Sequence, residues 1–266
     1  MNVLSLFDGM SCGQIALEKV GFQVDKYFAS EIDKYAIKVA KANYPDMVHL
    51  GDVRDVKTAD SRLMVENAGW IKIDLLIGGS PCQGFSFAGK QLNFDDPRSK
   101  LFWEYVRLLR ELRPKYFLLE NVKMKQESMD VITEALGVEP IFINSSLVSA
   151  QNRQRYYWTN IPFTMPEDKG ILLRDIIEDG FVDRDKSYCI DANYWKGGNL
   201  TQYFDKKRRQ LVFTDDGFRK LTPLECERLQ TVPEGYTAHV SNTQRYKMLG
   251  NGWTVDVIAH TLKGME

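Results

Sequence analysis

Short runs of apolar residues, each closed by Gly, Asp, Glu or Pro, alternate with segments whose apolar residues recur three and four positions apart through the first 160 residues. The first pattern predicts strands near Val3–Leu6, Lys26–Ser30, Val48–Leu50, Asp74–Ile77, Tyr116–Leu119 and Ile141–Val148. The second predicts helices over Gln14–Val20, Lys34–Asn43, Leu101–Leu112 and Met129–Leu136. Strand and helix in strict alternation give an α/β fold with a mostly parallel sheet. After Tyr156–Thr159 the rhythm breaks, and the stretch to residue 218 is polar, interrupted by Gly197-Gly198-Asn199 and by the basic run Lys206–Arg209. A helix resumes at Thr222-Pro223-Leu224-Glu225, a capping box with proline at its first turn, and a last one is expected over Thr254–Lys263. The organisation expected is a large domain over 1–160, a small lobe over 161–218, a hinge over 219–236, and a segment over 237–266 that returns to the large domain.

Composition narrows this reading. With 266 residues, 44% of them hydrophobic, the chain can bury a full core. A formal net charge of -1 means that any affinity for nucleic acid comes from a local basic surface. Cys12, Cys82, Cys189 and Cys226 form no CxxC pair and His49, His239 and His260 are scattered, so no metal site is expected and the thiols are read as reduced. The N-terminus lacks a basic leader and no run is long and apolar enough to span a bilayer, so the expectation is a soluble, cytoplasmic protein without a membrane partner.

Candidate chemistry gathers at the carboxyl ends of the predicted strands, where open α/β sheets place their ligand crevice. Phe7–Gly13, Glu31 and Asp52 follow the first three, in the arrangement that lets backbone approach a nucleotide-like ligand while a carboxylate accepts ribose hydroxyls. Read alone, these are as readily ordinary tight turns with capping carboxylates. The fourth strand leads into Gly78-Gly79-Ser80-Pro81-Cys82-Gln83, a proline-fixed cysteine followed by a long polar loop to Lys100 that suits a closing lid. An isolated cysteine is usually a small buried residue, but the next strand ends in Glu120-Asn121-Val122, and Gln151-Asn152-Arg153-Gln154-Arg155 carries two arginines spaced to point one way along extended chain. A nucleophile, an acid and two cations would then converge.

In their order and over nearly the whole chain, these segments resemble the DNA cytosine-5 methyltransferase family. The resemblance rests on Phe7–Gly9, Pro81-Cys82-Gln83, Glu120-Asn121-Val122, the Gln151–Arg155 pattern, Leu221-Thr222-Pro223-Leu224-Glu225-Cys226 and Gly250-Asn251-Gly252. Ser11 replaces a glycine usual in the first loop, and Gly252-Trp253 replaces a usual serine; both variants look closer to the animal de novo branch. The resemblance implies a class I S-adenosylmethionine-dependent methyltransferase, Rossmann-like, with a small target-recognition lobe and double-stranded DNA in the cleft between them. It assigns catalysis to Cys82, Glu120, Arg153 and Arg155. It gives S-adenosyl-L-methionine to Phe7, Asp8, Gly9, Cys12, Gly13, Glu31, Ile32, Asp52, Val53, Pro81, Leu101, Asn251 and Trp253. Phe7 would lie against the adenine or the methionine moiety, Glu31 would take the ribose hydroxyls, Asp52 the adenine amine, and Asn251 with Trp253 the methionine end. DNA contacts fall to Gln83, Ser86, Lys90, Arg98, Gly197, Gly198 and Asn199.

Three rival readings keep part of this picture. A transfer-RNA cytosine-5 methyltransferase would use the same apparatus, although Ser80 stands where that branch carries a proline. A non-catalytic DNA-binding paralogue would not need Cys82, Glu120, Arg153 and Arg155 together, and a dinucleotide oxidoreductase would need the GxGxxG that is absent. The short lobe suggests a short target, a chain without regulatory domains suggests a bacterial or phage enzyme of restriction-modification or self-protection type, and a monomer is expected.

Overall fold

The computed structural model describes residues 1–66, 68–80 and 99–265. A seven-stranded sheet is built from β1 (Asn2–Leu6), β2 (Lys26–Ser30), β3 (Val48–His49), β7 (Leu75–Gly78), β8 (Tyr116–Val122), β9 (Ile141–Asn144) and β10 (Gln154–Thr159), in the order β3-β2-β1-β7-β8-β10-β9. Pairing is parallel from β3 to β8, and β10 runs antiparallel to both its neighbours. Because strand order reverses between β1 and β7, the crevice at their carboxyl ends is the topological switch point, where doubly wound sheets bind ligands.

Alternation along the strands sorts the core into two layers. Val3, Leu75, Leu118 and Tyr157 pack on the side of α1 (Cys12–Lys19), α2 (Lys34–Asn43) and α7 (Val255–Leu262). Leu4, Leu76, Leu119 and Trp158 face α3 (Ser99–Leu112) and α4 (Gln126–Leu136). Sheet residues on both faces are apolar, as burial under helices on two sides requires. The strand expected over Ile141–Val148 stops at Asn144, whose side chain accepts from Ser146 N and starts a 3₁₀ turn over Ser145–Leu147. Between β3 and β7 the chain adds a small antiparallel sheet that the sequence pattern does not predict: β4 (Thr58–Ala59), β5 (Arg62–Val65) and β6 (Gly69–Ile71). Leu63 and Val65 bury one face of it beside α3.

Beyond β10 the chain forms 3₁₀ turns at Leu173–Asp175 and Tyr194–Lys196, a π-helical turn at Thr201–Asp205, and a hairpin of β11 (Leu211–Thr214) and β12 (Gly217–Lys220). β12 runs across the boundary expected between lobe and hinge at 218/219. α5 (Pro223–Leu229) starts as anticipated: Thr222 Oγ1 accepts from Glu225 N at 3.1 Å and Glu225 returns the contact to Thr222 N at 2.7 Å. α6 (Asn242–Asn251) is a further helix. Among the described residues no helix is long and apolar enough to cross a membrane, and no cluster of side chains could hold a metal ion.

Candidate active site

A cleft of about 580 Å³ opens at the switch point, with Phe7, Gly9, Glu31, Gly79, Glu120 and Trp253 among its walls. Its first end is made by the turn after β1. Phe7, Gly9 and Ser11 all adopt left-handed backbone, so the chain coils tightly at the sheet edge. Glycine takes this conformation freely; Ser11 takes it while its hydroxyl donates to the Asp8 carboxylate, which answers the departure from glycine at this position. Asp8 also accepts from Tyr27 OH at 2.8 Å, and burial pushes its carboxyl up to about 6. Glu31 binds this turn to the next: Oε2 accepts from Gly9 N at 2.8 Å, and Oε1 accepts from Ile32 N at 2.7 Å and Asp33 N at 2.8 Å.

The second end lies on β8 and β10. Glu120 and Arg155 are diagonal neighbours across this antiparallel pair, Glu120 facing Tyr157 and Arg155 facing Val122. Arg155 Nε stands 2.7 Å from Glu120 Oε1, and both side chains are largely buried. Burial is the largest influence and would lower the Arg155 pKa; the Glu120 charge, with Cys189 and Tyr157 beside it, more than offsets it and raises the pKa. The second carboxylate oxygen accepts from the Trp253 indole Nε1 at 3.1 Å. Asn121 Nδ2 reaches Ser80 Oγ at 3.3 Å, anchoring the chain that leaves β7 two residues before Cys82.

Several residues assigned together by sequence divide in the structure. Arg153 lines the cleft with Arg155 but is the more deeply buried of the two: Nη1 donates to Ile190 O at 3.0 Å, and Nη2 donates to Gly250 O at 3.2 Å and Gly252 O at 2.7 Å. Its guanidinium thus ties Ile190 to the Gly250–Trp253 segment, and burial, with Arg155 nearby, depresses its pKa. Gln151 is buried on Leu229 O and Gln230. Cys12 is buried, its thiol pushed up to about 12 by desolvation, and Gly13 is a packing residue, since a β-carbon there would stand 2.2 Å from Ile77 Cδ1. Asn251 lines the cleft, whereas Ile32, Asp52, Val53 and Leu101 do not. Asp52 caps the 3₁₀ turn over Val53–Asp55 and pairs with Arg54, whose hydrogen bond lowers the carboxyl to about 2; Ile32 is exposed and Val53 is core.

Beyond β10, Gly197 has left-handed φ, a β-carbon on Gly198 would lie 3.0 Å from Arg209 O, and Asn199 Oδ1 accepts from Gln202 N at 2.8 Å. Lys206, Lys207 and Arg208 are exposed. Pro81, Cys82, Gln83, Ser86, Lys90 and Arg98, with most of the loop expected as a lid, lie outside the described residues. Sequence reasoning missed Gly79, where a β-carbon would stand 3.0 Å from Trp253 Nε1 and 3.1 Å from Glu120 Oε2; its place beside Gly78 at a strand end was the available signal.

Comparison with known proteins agrees with this geometry. The family model for C-5 cytosine-specific DNA methylase matches residues 1–161 and 151–266. Type II methyltransferase M1.ScrFI of Lactococcus lactis subsp. cremoris is 32% identical over 97% of this chain and 76% of its own length. Type II methyltransferase M.NlaX of Neisseria lactamica is 28% identical over 100% of this chain and 96% of its own. The solved structure of the Entamoeba histolytica methyltransferase EhMeth shares the fold, with a TM-score of 0.78 at 17% identity over 99% of this chain and 97% of that one. The β1 turn, the Glu120–Arg155 pair and the match along the whole chain lead to one conclusion: this protein belongs to the C-5 cytosine-specific DNA methylases, enzymes built on the S-adenosylmethionine-dependent methyltransferase fold.

Proposed function

We propose that this chain methylates carbon 5 of cytosine in double-stranded DNA, with Cys82 as nucleophile and S-adenosylmethionine as methyl donor. The observation that carries the reading is the Glu120 carboxylate, buried at a strand end between Arg155 and Trp253 in the cleft that also reaches Glu31. S-adenosylmethionine fits the donors at the other end: a carboxylate on Glu31, the aromatic face of Phe7, and a glycine turn with open space around Gly9. Phe7, Glu31 and Asn251 would hold it, whereas Asp52 stands outside the cleft, paired with Arg54. When bound, it supplies an electrophilic methyl group.

The chain's own residues do the rest. Neither carbon 5 nor carbon 6 is reachable in a stacked duplex, so the cytosine swings out at a cost of a few kcal/mol. The Cys82 thiolate adds to carbon 6 and pushes electron density to carbon 5. Glu120 holds the proton at N3 and accepts from the exocyclic amine, while Arg155 donates on the O2 side. Loss of the carbon 5 proton and departure of Cys82 restore the aromatic ring. Arg153 keeps the lobe and the Gly250–Trp253 segment in register around this pocket. On this reading residues 161–218 select the target. The packed Gly197-Gly198-Asn199 turn gives that lobe a fixed surface, and Lys206, Lys207 and Arg208 meet phosphates.

Bisulfite sequencing of genomic DNA and of transfer RNA from cells expressing the chain tests this reading. Protected cytosines within one short recurring DNA sequence, with none in RNA, are expected. Protection confined to RNA would make the rival substrate correct, and protection in neither would remove the activity.

A further inference from the structure

The family resemblance gives Trp253 to the cofactor, yet its one hydrogen-bonding atom points elsewhere. Indole Nε1 donates to Glu120 Oε2 at 3.1 Å, across 133 positions of sequence. The indole has little freedom to serve both partners by moving. It is 9% exposed, and the residues on either side are anchored: Gly252 O accepts from Arg153 Nη2 at 2.7 Å, and the Thr254 hydroxyl donates to Gln230 Oε1 at 3.0 Å. The opposite wall is equally tight, because a β-carbon on Gly79 would come within 3.0 Å of the indole nitrogen and 3.1 Å of the carboxylate oxygen.

We propose that Trp253 is a positioning residue for Glu120, an inference that rests on the reading of Glu120 as the group that meets the cytosine ring. Arginine captures carboxylates most favourably with two parallel hydrogen bonds, so Arg155 alone would draw both oxygens of Glu120 into its fork. Arg155 Nε approaches Oε1, at 2.7 Å, while the indole N–H holds Oε2. Tryptophan suits this task because it donates once and accepts nothing, so it fixes the oxygen without competing for the proton shared with the base. Gly79 is the complementary element, leaving the space in which carboxylate and indole meet.

Trp253→Phe keeps an aromatic ring and deletes the N–H. Its kcat should fall about tenfold to a hundredfold, the scale for losing a hydrogen bond to a charged group, with KM for DNA and the affinity for S-adenosylmethionine within about twofold. In a Glu120→Ala background the same change should cost less than about twofold, because coupled residues are not additive. An equal loss in that background, or a loss confined to S-adenosylmethionine affinity, would overturn the proposal. Full activity of Glu120→Ala itself would instead remove the reading of Glu120, a separate failure. Should Trp253→Phe not fold, Gly79→Ala decides: a kcat lowered about threefold to tenfold at unchanged KM supports the proposal, and an unchanged kcat contradicts it.

Discussion

The two ends of the cleft hold their charges by different means. At the β1–β2 end, Glu31 is satisfied by three backbone N–H groups and Asp8 by two hydroxyls, with the Glu31 donors coming from the adjoining turns. At the β8–β10 end, Glu120 faces a cation from a neighbouring strand and an indole from near the C-terminus. The first end is written in local chain geometry and can exchange a hydrogen bond for a ligand with little rearrangement. The second exists only when remote segments pack, which suits a charged group whose proton must be placed to a fraction of an ångström.

The sharpest way to separate these roles uses the two arginines. Arg155→Ala should lower kcat about a hundredfold to a thousandfold, as for loss of one preorganised donor, with a modest change in Tm. Arg153→Ala should instead destabilise the fold by about 3 kcal/mol, since it takes the guanidinium donors from the buried carbonyls of Ile190 and Gly250 and leaves Gly252 O only its bond from Gln230. Thermal melts and single-turnover rates on both variants check this, and the reverse pattern would exchange their assignments.

At the other end, Glu31→Ala should weaken S-adenosylmethionine binding by roughly 1–3 kcal/mol by calorimetry, and should loosen the β1 turn through Gly9. Unchanged affinity would move the ribose contact to another residue. A smaller effect concerns Asp8, whose carboxyl is raised by burial from 3.8 to about 6. Between these values the folded protein keeps a proton that the unfolded chain has lost. The Asp8 contribution to stability therefore falls as pH rises through the window, by on the order of 3 kcal/mol, and stays low above it. Denaturation midpoints of Asp8→Asn should show a flatter dependence across that window than the parent; parallel curves would contradict the assignment.

What the sequence made legible follows the same division. β2 and α2 could be bounded from periodicity, and the Thr222–Glu225 capping box announced α5, because these signals are local. The β4–β6 sheet escaped because its strands are two to four residues long and exposed on one side. α6 escaped because Asn-Thr-Gln-Arg opens a largely polar helix with a weak apolar stripe. The residues at the β8–β10 end were named from motifs, but Arg153 and Arg155 look equivalent on an extended segment. Only the fold shows one buried on carbonyls and the other on Glu120. The Trp253 hydrogen bond has no local signature at all.

On the proposed mechanism, Cys82 attacks covalently a cytosine held at the Glu120 end of the cleft. Duplex DNA carrying 5-fluorocytosine in the target tests it most directly, because fluorine at carbon 5 cannot leave as a proton and the adduct should persist. Incubation with S-adenosylmethionine should give a denaturant-stable protein–DNA species with the parent chain and none with Cys82→Ser. An active preparation that traps nothing, or a Cys82→Ser variant that still traps, would contradict the mechanism.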